Sequence, residues 1–176
     1  MLGLSGALMC MAAGTAAGSW MRERRMARWR MLAAELDVLG GMRLLLEQER
    51  PALTDLISEC AGYVSQGTGA EQVAQRLKTS AQLMRHSPML SLVEAYDLAC
   101  GQIRAPWEHE EEQAAMSILF RQLGVGTASM REQAAAACMR RLKPLEETAR
   151  ADAEKAGRLC MQLGMLLGLM AGIALW

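Results

Sequence analysis

Apolar and charged positions are segregated along this chain of 176 residues. Leu2–Trp20 and Leu159–Trp176 contain no Asp, Glu, Lys, Arg or His, and every charged side chain lies between them. A helix needs about 20 apolar residues, each rising about 1.5 Å, to cross a hydrocarbon core of about 30 Å. The pattern therefore predicts transmembrane helices at residues 1–20 and 159–176, joined by one domain at residues 21–158.

Basic residues lie on the inner flank of both apolar stretches. Five follow the first stretch and one directly precedes the second: Arg22, Arg24, Arg25, Arg28, Arg30 and Arg158. Cytoplasmic flanks of membrane helices carry an excess of Lys and Arg, and tryptophans such as Trp20 and Trp176 suit the interface. This bias predicts a cytoplasmic middle domain with both chain ends towards the opposite face. A solvated helix face is the alternative interpretation of these arginines.

Small residues recur at spacings of four within both apolar stretches. The glycines concerned are Gly14, Gly18, Gly164, Gly168 and Gly172. In lipid, small residues let helix backbones approach closely and gain van der Waals contact. We therefore predict that these glycines form helix-packing surfaces, with the alternative that glycine is simply common in membrane helices.

The middle of the chain carries signals for helix starts and ends and no pattern typical of a strand. Residues 22–48 form one helical pattern that can continue the first apolar stretch. Further helix starts are predicted from proline and capping-box signals at Pro51, Thr68 with Glu71, Ser87–Pro88, Pro106, and Ser129 with Glu132. No segment alternates between apolar and polar residues as a strand does. The predicted fold is all-α: a cytoplasmic bundle of about six helices whose first and last helices extend into membrane spans.

Composition narrows the function. The 19 basic and 19 acidic residues give a net charge of zero, so the chain has no global electrostatic reason to bind nucleic acid. Five cysteines occur without a Cys-x-x-Cys pair, which predicts reduced, buried thiols and no zinc site. Reduced thiols fit a domain that faces the cytosol.

Candidate chemistry is confined to the acidic stretch Glu108–Glu112, which includes His109. It lacks the second histidine of a His-Glu-x-x-His zinc helix. Such a run is typical of a solvated helix face, with a weak divalent-ion or partner contact as the alternative. The sequence has no Gly-x-x-x-x-Gly-Lys loop and no nucleophile paired with a base. We therefore expect no catalytic, cofactor or metal site, and a protein that is not an enzyme.

The amino-acid sequence of several segments resembles that of one known family. The segments are Arg50–Leu53, Leu123–Gly124, Ser129–Gln133, Glu146–Ala156 and Gln162–Leu169. Together with an apolar stretch at each end, they resemble the stage III sporulation protein AB family. The match is most specific in the last fifty residues or so and covers nearly the whole chain.

The resemblance implies a role in endospore formation. It implies a non-enzymatic platform subunit of the secretion-like channel complex that links the mother cell with the forespore. The implied location is the mother-cell membrane around the forespore. The implied partners are a cytosolic secretion-type ATPase (stage III sporulation protein AA), other membrane subunits of the complex and the lipid bilayer. The helical domain is similar to those of type II secretion F-type platform proteins.

Two other functions remain open from the sequence. One is a platform subunit of an ordinary type II secretion or type IV pilus system, which usually has two homologous cytoplasmic domains, whereas no internal repeat is visible here. The other is a membrane-anchored adaptor or regulator. The contact surface for a partner is also open between the acidic stretch and the arginines that follow Trp20.

Overall fold

The computed structural model describes residues 2–48, 52–64 and 67–174, and all regular elements there are helices. In chain order they are α1 (Leu2–Gln48), α2 (Leu53–Cys60), α3 (Ala70–His86), α4 (Leu92–Gln102), α5 (Glu110–Val125) and α6 (Ala128–Ala174). Ala, Leu, Met, Glu, Arg and Gln, the strong helix formers, dominate these segments. The prediction of an all-α fold with about six helices is confirmed for the described residues.

The chain divides into two compact units. The first, which we call the helical unit, is residues 27–147 and includes α2, α3, α4 and α5. The second, the terminal unit, is residues 1–26 and 148–176. The domain boundaries predicted after residue 20 and before residue 159 stay predictions.

The core of the helical unit is built from one apolar stripe per helix. In α1 the buried positions recur at three and four: Ala27, Met31, Leu32, Ala34, Val38, Leu39 and Met42. Helix α3 packs against α2 and α4, and α4 packs against α5. Full burial of a side chain such as Phe120 or Leu77 contributes about 1.5–3 kcal/mol relative to exposure. The periodic stripe therefore both specifies the helices and supplies the packing that stabilises them.

Two predicted helix starts are wrong by about four residues. Helix α4 begins at Leu92 and not at Ser87–Pro88. Its N-cap is Ser91, whose Oγ accepts from the backbone N–H of Glu94 at 3.4 Å, while Glu94 Oε2 accepts from the Ser91 N–H at 2.9 Å. Helix α5 begins at Glu110 because Pro106 lies in a turn, closed by the N–H of Glu108 donating to the Ala105 carbonyl at 3.0 Å.

The two predicted capping boxes are displaced as well. Helix α3 is preceded by Gly69, at φ +98°, whose N–H donates to Gln72 Oε1 at 2.8 Å. That pair takes the place predicted for Thr68 with Glu71. Helix α6 begins at Ala128, so Ser129 lies inside the helix and not at its N-cap.

The two long helices pass through residues that usually interrupt helices. Helix α1 continues through Gly40–Gly41, and α6 continues through Pro144. Gly41 has a packing reason to be glycine: an added Cβ would lie 2.7 Å from the ring of Tyr63. The prediction that the last helix runs on from residue 128 towards the carboxyl end is confirmed as far as Ala174.

Within the part of the chain that the structure describes, no helix has a stretch both long and apolar enough to cross a membrane. Most side chains of residues 2–17 and 157–174 lie outside the described residues. The predicted spans at residues 1–20 and 159–176 fall largely on those positions. Their helical character is confirmed for residues 2–20 and 159–174, and their insertion into a bilayer stays a prediction.

Candidate functional site

Arg76 of α3 and Glu108, two residues before α5, form a buried ion pair. Arg76 Nη1 and Nη2 donate to the two carboxylate oxygens of Glu108 at 2.9 and 2.7 Å. Arg76 Nε donates to the backbone carbonyl of Ile103 at 3.0 Å. The Arg76 and Glu108 side chains are 2% and 7% exposed. This paired, charge-assisted geometry is among the stronger ones available to side chains, and it fixes the segment before α5 against α3.

Glu112, in the first turn of α5, performs two tasks with one carboxylate. Its Oε1 accepts from Nε and Nη2 of Arg28 at 2.9 and 2.6 Å, which ties α5 to α1. Its Oε2 accepts from the backbone N–H of His109 at 3.0 Å, which caps the start of the helix. A negative charge at this position also suits the positive end of the helix dipole.

The acidic stretch is therefore not a uniformly solvated face. Glu110 and Glu111 are exposed, as predicted, but Glu108 is nearly buried and Glu112 is fully buried. The prediction is wrong for these two because each has a basic partner from another helix: Glu108, in the turn before α5, pairs with Arg76, and Glu112, in the first turn of α5, pairs with Arg28. No three His, Cys, Asp or Glu residues are grouped to hold a metal ion in the described ranges.

Glu35 of α1 lies in the same interior and has no exposed surface. Neither of its carboxylate oxygens has a hydrogen-bond partner. Burial raises its pKa well above 4.5, the negative charges of Glu108 and Glu112 raise it further, and Arg76 acts in the opposite direction. A buried carboxyl without hydrogen-bond partners favours its neutral form, so the fold shifts Glu35 towards the protonated state.

The side of this interior that belongs to α4 is aromatic and thiol-bearing. Tyr96 stacks on Phe120 of α5 with ring centroids 4.0 Å apart and planes at 19°. Burial raises the pKa of the neighbouring Cys100 thiol to about 11, partly offset by Arg76 and a hydrogen bond with Tyr96. The thiols of Cys60 and Cys138 are likewise free and buried, which confirms the prediction of reduced, buried cysteines for these three.

We call the charged and phenolic members of this interior the buried polar cluster: Arg28, Glu35, Arg76, Tyr96, Glu108 and Glu112. It joins α1, α3, α4 and α5 within the helical unit. Apart from Arg28, whose side chain is 20% exposed, its members are nearly sealed from solvent. A buried cluster of this kind can fix the mutual register of four helices.

Two of the cluster's members were missed from sequence, although a signal exists for both. Glu35 occupies a position of the apolar stripe of α1, and Arg76 occupies the stripe of α3 between Val73 and Leu77. An unpaired buried charge is costly, so a titratable residue at a core position of an amphipathic helix indicates either a buried partner, as for Arg76, or a shift towards the neutral form, as for Glu35.

The arginines predicted to set topology do not form one group in the structure. Arg22, Arg24 and Arg25 are exposed on α1, and the Arg24 guanidinium lies 5.0 Å from the ring centroid of Trp20. Arg28 belongs to the buried polar cluster, and Arg30 is half-buried. The side chain of Arg158 lies outside the described residues.

The five glycines predicted to pack membrane helices all lie on helical backbone. Gly14 and Gly18 belong to α1, and Gly164, Gly168 and Gly172 belong to α6. Their surroundings fall among the positions outside the described side chains, so the packing role stays a prediction.

These features define an all-α protein whose helical unit is organised around a buried polar interior and whose first and last helices have 47 residues each. The family model for stage III sporulation protein AB matches residues 3–176. The chain therefore belongs to the stage III sporulation protein AB family, as the sequence resemblance predicts. No curated protein matches the chain, and no solved structure matches it. Family membership assigns the chain a role in the third stage of sporulation.

Proposed function

We propose that this protein is a non-enzymatic platform subunit of the secretion-like channel complex between the mother cell and the forespore. In this role both terminal helices insert in the mother-cell membrane around the forespore, and the helical domain faces the cytoplasm. The domain docks a cytosolic ATPase, stage III sporulation protein AA, and the terminal helices contact other membrane subunits. Family membership over residues 3–176 supports the sporulation role.

The observation that carries the proposal is the continuity of α1 and α6. Each has 47 residues and includes both an apolar end of the chain and a part of the helical unit. A helix of that length extends about 70 Å at about 1.5 Å per residue. Helical backbone that runs from each apolar end of the chain into the helical unit is the feature that would suit a subunit transmitting the motion of an ATPase to partners in a membrane.

Two exposed charged surfaces are available for ATPase docking. The first is the acidic pair Glu110 and Glu111, the two exposed glutamates of a stretch in which Glu108 and Glu112 are buried. The second is the basic group Arg22 and Arg25 on α1. Rim charges of this kind mainly set the association rate and the choice of partner.

Docking can be tested with the full chain in lipid nanodiscs and purified stage III sporulation protein AA. We expect binding with a Kd of about 10 µM or tighter. Reversing charge on the contacted surface, by Glu110→Lys with Glu111→Lys or by Arg22→Glu with Arg25→Glu, is expected to weaken binding at least tenfold. Lys143→Glu with Glu147→Lys is the matched control, since both residues are exposed on α6. No binding by the parent chain at tens of micromolar contradicts direct docking.

Membrane insertion has a separate test. Cell membranes that contain the full chain are washed with alkaline carbonate, which removes peripheral proteins, and then with detergent. We expect the chain to stay in the pellet after carbonate and to be released by detergent. Release by carbonate alone contradicts both predicted spans, whatever the outcome of the ATPase experiment.

A further inference from the structure

A groove lies between the carboxyl-terminal half of α5 and the first turns of α6. It has a volume of about 560 Å³, and its apolar lining includes Val125, Met130, Ala134 and Ala137. Val125 is 90% exposed and Met130 is 59% exposed. Arg121 and Arg140 also line it, and neither forms an ion pair within the described part of the chain. We call this surface the basic groove.

The outer side of α4 carries the opposite charge. Leu90, Glu94, Asp97, Leu98 and Gly101 line a shallow depression of about 610 Å³ there. Leu98 is 49% exposed, and Met89, the residue before Leu90, is 98% exposed. The carboxylates of Glu94 and Asp97 accept hydrogen bonds from Ser91 and Ser117, and neither meets a basic side chain among the described residues. We call this surface the acidic face.

The two surfaces also match in length. Helix α4 has 11 residues, which rise about 16 Å. The part of α6 that borders the basic groove, from Met130 to Arg140, has the same number of residues and also rises about 16 Å. An apolar stripe flanked by acids on a helix of this length is the shape and charge that the groove would accept.

Gly101 gives an independent reason to expect a close neighbour on the acidic face. Nothing lies within 4 Å of the position that its Cβ would occupy. Glycine in a helix is less favourable than alanine by up to about 1 kcal/mol, and packing within this chain supplies no reason for it. A glycine on a helix surface permits another helix to approach the backbone closely.

We propose that the acidic face of one copy of this chain docks into the basic groove of a second copy. Exposed apolar residues rimmed by charge mark association surfaces, and here Glu94 and Asp97 would meet Arg121 and Arg140 around an apolar centre. The two surfaces occupy different places on the helical unit, so the contact is head-to-tail. Repetition of such a contact gives a ring or a row of subunits. This inference does not rest on ATPase docking.

The test measures self-association of the full chain in a non-ionic detergent by sedimentation velocity. Variant one, Arg121→Glu with Arg140→Glu, reverses the basic groove and leaves the acidic face intact. Variant two, Asp97→Asn with Leu98→Asn, removes charge and apolar surface from the acidic face and leaves the groove intact. Both leave the Ser91–Glu94 cap of α4 in place.

We expect the parent chain to associate with a Kd of about 10–100 µM and each variant to associate at least a hundredfold more weakly. An equimolar mixture of the two variants is expected to form a one-to-one dimer and nothing larger, because one intact groove then meets one intact face. Raising the salt concentration should weaken the parent's association, since exposed charges are screened. Lys78→Glu with Glu147→Lys is the control, because both residues are exposed elsewhere on the helical unit.

A third variant keeps the proposal testable if charge reversal disturbs folding. Gly101→Leu places a side chain in open space, so we expect the circular dichroism spectrum of the parent together with at least tenfold weaker association. A parent chain that is monomeric at about 100 µM overturns the proposal. Association that persists in both charge variants, or a mixture that fails to dimerise, overturns it as well.

Discussion

Arg76 and Glu108 meet edge to edge inside the helical unit through two hydrogen bonds, although 32 residues separate them in sequence. The arrangement leaves neither charge without a partner. Removal of one side chain strands the other charge in the interior, whereas removal of both leaves none. Replacing Arg76 alone and replacing Arg76 together with Glu108 should therefore affect the free energy of unfolding very differently.

Arg76→Leu is expected to lower the free energy of unfolding by about 3–5 kcal/mol, because Glu108 remains buried without its partner. Arg76→Leu combined with Glu108→Leu should recover most of that loss, since apolar side chains of similar size can replace a buried ion pair. Urea titration of the full chain in detergent, followed by circular dichroism, measures both. A double variant as unstable as the single one would show that the pair is not the origin of the effect.

Glu35→Gln tests the buried neutral carboxyl. The folded pKa of Glu35 lies above its ordinary value of 4.5, so its contribution to stability is present below pH 4.5 and is lost as pH rises through the folded pKa. Across that window the parent should lose up to about 1.4 kcal/mol per pH unit relative to the glutamine variant. Urea titrations from pH 4 upward measure the difference, and Glu132→Gln, at a half-buried carboxyl on α6, is the control. A constant difference across pH would contradict a neutral Glu35.

Gly69→Ala is expected to destabilise the helical unit. Gly69 has φ +98°, and an added Cβ would overlap the carbonyl oxygen of Ala27. Backbone strain alone costs roughly 1–3 kcal/mol, and α1 must shift in addition. Gly101→Ala is the matched comparison: it meets open space and should stabilise the chain by up to about 1 kcal/mol. Thermal unfolding of both variants measures the difference. An equal fall in melting temperature for Gly69→Ala and Gly101→Ala would contradict the conformation of Gly69.

Buried thiols predict slow labelling by a disulfide reagent. Burial is the main cause that raises the pKa values of Cys60 and Cys138 to about 12, and that of Cys100 to about 11. At pH 8 the Cys100 thiolate is then about one thousandth of the total, and thiolate is the reacting form. In a chain with Cys10→Ala and Cys160→Ala, we expect the three thiols to react only after denaturant is added. Rapid labelling of the folded chain would contradict their burial.

The all-α class was predictable because helix formers dominate and no segment alternates. The position of helix starts was less so, since several local signals compete. Pro88 suits a helix start, yet the capping box of Ser91 with Glu94 determines where α4 begins. The box is readable from the spacing Ser-x-x-Glu, and its hydrogen bonds satisfy backbone groups that a proline start leaves open.

The buried polar cluster depends on contacts that local pattern cannot supply. Glu112 follows the helical period of Ala115, Met116 and Leu119, so its burial can be inferred from spacing. Its partner Arg28 lies 84 residues earlier, and no spacing rule connects the two. The raised pKa of Glu35 depends on its burial and on charges from α3, from α5 and from the segment before α5, which come together only once the chain is folded.

One contact of the first helix needs a residue that is made near the end of synthesis. The indole Nε1 of Trp29 donates to Glu146 Oε1 at 2.6 Å, and these residues are 117 positions apart. On the ribosome, Trp29 has emerged long before Glu146 has been made. Helix α1 can meet residues as early as Tyr63 and Gly69, but its contact with α6 through Trp29 forms only when translation is nearly complete. Contacts of such long range slow folding, so this last contact of α1 is expected to form late.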